Sequence, residues 1–118
     1  MTYRLAQQYP VLALPLSSLD PERQVVVARA AAEVAVEASG VSIPTTEAGA
    51  LTALVEALDT VAWDLQDEGN ERYPSAFAQA RAANAVLFTV QGEPAEAVYE
   101  AVAALGDDAT VLAIIEAG

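Results

Sequence analysis

Four glycines, Gly40, Gly69, Gly92 and Gly106, cut this chain of 118 residues into pieces of helical length. Within each piece apolar residues recur every three or four positions, the spacing that gathers them on one face of a helix. Glycine closes helices readily because it enters left-handed backbone without a Cβ penalty. The starts are marked too: Asp20 stands where an N-cap belongs and Pro21 at the first helical position, and Pro94 does the same for a later piece. This punctuation predicts an all-α fold, a compact bundle of four to five helices. The connections between pieces are short, so neighbours are expected to be mostly antiparallel.

The pieces differ in how much they specify. From Asp20 to Gly40, the charged residues Glu22, Arg29, Glu33 and Glu37 form one narrow stripe and nearly everything else is Val or Ala. Such a helix is apolar over most of its circumference and belongs at the centre of the bundle or under a second subunit. The next helix starts near Thr45 or Thr46, and Leu51, Leu54, Val55, Leu58, Val61, Ala62 and Leu65 make its core stripe. A third runs from Tyr73–Ser75 to Val90, with Ala76, Ala80, Ala83, Leu87 and Val90 as its seam. A fourth starts at Pro94 with Val98, Val102 and Leu105 inward. The run 111–115 is too short for periodicity to separate helix from buried strand. Residues 1–19 are expected to form an arm or one short helix, with 11–16 extended or a single turn, because Pro10 and Pro15 restrict the residues before them. The whole, 1–118, is expected to be a single helical domain with the bundle in 20–118.

Side-chain chemistry narrows function more by exclusion than by pointing. The chain has 17 acidic residues, 5 basic ones, no histidine and no cysteine, and all five cations are arginine. One copy therefore cannot assemble a Ser-His-Asp triad, a thiolate nucleophile, a lysine Schiff base or a zinc site of N/S ligands. A formal net charge of −12 opposes phosphate backbones and anionic lipid, so neither nucleic acid nor membrane is the expected partner, whereas a basic protein is. At 54% hydrophobic residues the chain has enough apolar surface to offset chain entropy. Residues 1–10 lack signal-peptide character, and the expected location is cytoplasmic.

Three constellations carry candidate chemistry. The first is acidic: Glu33 and Glu37, then Glu56 and Asp59, form E-x-x-x-E followed by E-x-x-D on consecutive helices. Two such helices face to face would present four carboxylates to a magnesium or manganese ion. This spacing resembles the MazG-like all-α nucleotide pyrophosphohydrolases over about residues 28–84, including the stretch from Glu56 through Asp59 to Trp63 and the later Arg81 and Asn84. The resemblance implies a magnesium-dependent nucleoside triphosphate pyrophosphohydrolase with Glu33, Glu37, Glu56 and Asp59 as metal ligands. The chain departs from that family in carrying Arg29 and Ala30 where paired glutamates normally stand, and in having no lysine to handle phosphate. The plain alternative is that these acids are the solvated stripes of amphipathic helices.

The second is Trp63, which an ideal helix places about 140° from the centre of its core stripe, among Glu56, Asp59 and Asp67. An outward Trp ringed by carboxylates is a suitable anchor for a basic partner, and against it stands simple packing under another helix. The third is Arg81 with Asn84, one turn from Phe77 and Phe88, which is either an anion site or a buried polar pair bonded to an acid on a neighbouring helix.

These readings favour a small acidic helical protein that docks on a basic partner through Glu56, Asp59, Trp63 and Asp67, in the manner of an inhibitor, immunity protein or antitoxin. It needs no catalysis and no cofactor. The alternatives are the magnesium-dependent hydrolase and a structural or accessory homodimeric bundle. A homodimer with the helix from Asp20 to Gly40, or its immediate neighbour, at the seam is expected in any case, because Val25, Val26, Val27, Val34 and Val36 point in more directions than one four-helix core usually absorbs.

Overall fold

A computed structural model describes residues 3–118, and among them the chain folds into seven helices with no strand. They are α1 (Tyr3–Gln8), α2 (Pro10–Ser17), α3 (Pro21–Ser39), α4 (Ala48–Asp67), α5 (Tyr73–Val90), α6 (Pro94–Leu105) and α7 (Asp108–Ala117). Met1 and Thr2 of the expected arm lie outside the described residues. The all-α expectation stands, and the count of four to five is corrected to seven. The excess comes from the two ends of the chain.

At the N-terminal end the prolines do not prevent helix. Pro10 occupies the first position of α2, where its missing N–H costs nothing, and Pro15 sits inside the helix. The helix survives because Leu12 and Leu16, one turn apart, are buried at 0% and 2% exposure. Its last turn is tied down by the hydroxyls of Ser17 and Ser18, which both donate to the Leu14 carbonyl at 3.0 and 2.9 Å. Packing has overridden local preference. At the other end the undecided run 111–115 is helical. Asp107 caps it, accepting from the Ala109 N–H at 3.0 Å and the Thr110 hydroxyl at 2.6 Å, bonds that hold its carboxyl below the usual range, the hydroxyl first.

Helix α3 matches its sequence signals at both ends. The Asp20 carboxylate accepts from the Arg23 N–H at 2.9 Å, and Gly40 closes the helix at φ 74°, left-handed backbone that suits a residue without Cβ. Helix α4 starts later than its threonines suggest. Thr45 accepts from the Glu47 N–H at 3.0 Å, and Glu47 is the cap, its carboxylate accepting from Ala50 and Gly49.

Helix α3 packs against α5, α6 and α7, and α5 is gripped between α4 on one side and α3 and α6 on the other. Alanine makes this possible. Ala28, Ala31, Ala32 and Ala35 of α3 meet Ala82 and Ala85 of α5 and Ala97 and Ala101 of α6 in one buried cluster, so the helix axes can approach closely. Leu5, Leu12, Leu16, Val111 and Ile115 close its ends. A smaller cluster of Leu51, Val55, Ala83 and Leu87 holds α4 to α5.

Of the valines expected to overflow from α3, only Val26 is exposed, at 61%; Val27 is buried and Val25, Val34 and Val36 are half-buried. Val27 belongs to the main buried cluster and Val36 packs against it. Two inward assignments are corrected. Val61 is 52% exposed and Val90 42%. Val61 lies toward the end of α4 and Val90 in the last turn of α5, and both are walls of surface grooves.

Candidate functional site

Helix α4 is the exposed member of the bundle, since its main support is α5 alone. Its 20 residues include Glu56, Asp59, Asp64 and Asp67 and no basic residue. Leu51, Val55 and Ala62 turn inward, which rotates Glu56, Trp63 and Asp67 to the outside. Trp63 is 62% exposed. One turn before it stands Asp59, and one turn after it Asp67.

Asp59 is the point at which this face joins a polar network. It accepts from Nη2 of Arg81 on α5, while Nη1 of the same guanidinium donates to Glu100 on α6, to Oε1 at 2.8 Å and to Oε2 at 3.3 Å. The Asn84 amide donates to Glu100 Oε1 at 2.6 Å. From the other side Arg4 of α1 donates through Nε to Glu96 at 2.9 Å, stands 3.9 Å from Glu100, and lies over the Tyr99 ring at 4.2 Å. Glu100 is only 1% exposed. Burial pushes its carboxyl above the usual range, although Arg81, Asn84 and Arg4 all pull the other way. Two guanidiniums and an amide are thus spent on a carboxylate sealed inside the protein. The Arg81 Nε is buried without a partner. The arrangement fastens α5 to α4 and α6, and α6 to α1.

One turn from Arg81 on α5 lies Phe77, 36% exposed, with the guanidinium 5.8 Å from its ring centre and the Tyr73 ring tilted against it at 5.9 Å. Asp59 is bonded to Arg81, so Trp63 and Phe77, each one turn away, flank the same junction of α4 and α5.

Glu33 and Glu37 are exposed on α3, whereas Asp59 is paired with Arg81. Among the described residues no three acids, histidines or cysteines gather into a group able to hold a metal ion. The four carboxylates of the acidic motif are therefore not brought together. Sequence reasoning placed Arg81 and Asn84 in one polar unit but missed Glu100. Its only signal was an acid surrounded by the inward residues Val98, Ala101 and Val102, a pattern that ordinarily reads as the edge of a stripe.

The chain matches no protein-family model, and no curated protein or solved structure matches it. No helix among the described residues is long and apolar enough to cross a membrane.

Proposed function

We propose that this protein is a non-catalytic binding module that docks on a basic protein through the outer face of α4. The observation that carries the reading is Trp63, 62% exposed on a helix with four acids and no base. An uncovered Trp forgoes a large burial gain, and Trp is the residue most often found at the energetic centre of interfaces. Glu56, Asp64 and Asp67 surround it, while Asp59 is held by Arg81 and so fixes the face rather than competing for the partner. Phe77 extends the apolar part across the junction with α5. A net charge of −12 adds long-range attraction for a basic surface and speeds encounter. Inhibitors, immunity proteins and antitoxins work by such masking, and we place this protein among them, acting in the cytoplasm.

The test is affinity capture with variants. Wild type retains a basic protein; Trp63→Ala and the double reversal Glu56→Lys/Asp67→Lys lose it, while Glu37→Gln does not. Retention unaffected by both α4 variants would overturn the reading. A second reading, a homodimer, rests on apolar side chains away from α4: Val26 of α3 at 61% exposure and Val11 and Leu14 of α2 at 50% and 73%.

A further inference from the structure

Between α3 and the last turn of α5 runs a groove of about 390 Å³, which shares no residue with the α4 face. Its volume falls at the low end of small-molecule pockets, roughly 300–1,000 Å³. Arg29 and Glu33, one turn apart on α3, both line it, as do the hydroxyl-bearing Thr46 and Thr89 and the apolar Val86 and Val90.

Three observations say what would fit. Residues four apart on a helix have Cβ atoms about 5–6 Å apart and ordinarily pair when their charges are opposite. Arg29 and Glu33 form no ion pair with each other, and the described ion pairs all involve Arg4, Arg23 or Arg81. Both charges remain available at one wall of the groove. Next, the Thr89 hydroxyl donates its proton to the Val86 carbonyl at 2.6 Å, so its oxygen is left as an acceptor suited to an N–H donor. Finally, Val90 is 42% exposed and lines the groove beside Val86, an apolar wall suited to an apolar body. A plain carboxylate would meet the repulsion of a chain at −12, whereas a ligand with no net charge would not.

We propose that this groove binds an α-amino acid with an aliphatic side chain, its carboxylate on Arg29, its ammonium between Glu33 and Thr89, and its side chain against Val86 and Val90. Guanidinium and carboxylate at adjacent turns match the two charges of one zwitterion, and each forms charge-assisted hydrogen bonds.

The test is amide NMR of the full chain titrated with three probes: L-leucine, isovalerate (the carboxylate alone) and isoamylamine (the ammonium alone). Leucine is expected to shift the Thr46, Thr89 and Val90 amides saturably and to bind more tightly than either fragment. Arg29→Gln, an exposed substitution that leaves the fold intact, should weaken leucine about tenfold or more. Glu33→Gln should abolish the preference of leucine over isovalerate. The proposal fails if leucine gives no saturable shift at these amides, if isovalerate binds wild type as tightly, or if Arg29→Gln leaves the affinity unchanged.

Discussion

Glu100 is the buried charged residue of the interior among the described residues. It is a buried carboxylate whose charge is matched by Arg81 and Arg4, with Asp59 and Glu96 competing for the same guanidiniums. Removing one member of a buried pair costs more than the pair contributes, about 3–5 kcal/mol, because the other charge is stranded. Arg81→Met is therefore expected to lower unfolding stability by about that amount at neutral pH, read from urea midpoints. The pH dependence has a definite sign. Burial raises the Glu100 carboxyl in the folded protein, so the native state holds its proton more tightly than the unfolded chain does. This group's contribution is most favourable below the ordinary carboxylate range and is lost as pH rises through the raised value. Glu47 and Asp107 run the opposite way. Their carboxyls are lowered, the first by the Ala50 and Gly49 N–H groups and the second by Thr110 and Ala109, and their contribution is lost as pH falls. Without Arg81 the Glu100 carboxyl should rise further, so Arg81→Met should recover part of its deficit between neutral pH and pH about 5. A deficit that is constant or grows on acidification would contradict the assignment.

At the scale of elements, the helices divide by what holds them. Helix α2 stands on Leu12, and Leu12→Ala is expected to cost about 2–5 kcal/mol, measured by urea unfolding. Helix α1 is tied to α6 by Arg4, which is 45% exposed, and by the buried Leu5. Arg4→Ala should change global stability by less than about 1 kcal/mol while raising hydrogen exchange at the bonded amides of residues 7–9. A global loss as large as that of Arg81→Met would mean that Arg4, not Arg81, carries the charge of Glu100. The contrast between the central helices and the ends also marks how far the sequence could be read. Helices α3 to α6 were legible because each has a long apolar stripe and recognisable stops. Helix α2 was not, because Pro10 and Pro15 argue locally against helix and the burial of Leu12 and Leu16 is a long-range fact. Helix α7 lacks length, and its type follows from the Asp107 cap. Within the candidate face the outward rotation of Trp63 was legible from the stripe of α4. The bond of Asp59 to Arg81 was not, since nothing local indicates which acid faces which arginine.

For the molecule as a whole, charge and exposed apolar surface set the associations. If α2 and α3 pair two chains, light scattering at tens of micromolar should give twice the 12.2 kDa mass, and Val26→Glu should return it to one chain. A single-chain mass for the wild type would remove that second reading and leave the docking proposal untouched. The most direct measurement on the outer face of α4 asks what covers Trp63. With photoreactive p-benzoylphenylalanine in its place, irradiation in the native cell should join the protein to a basic partner, and reversing Glu56 and Asp67 should abolish the adduct. Adducts formed only with a second copy of this chain, or with an acidic protein and insensitive to the reversal, would contradict the account.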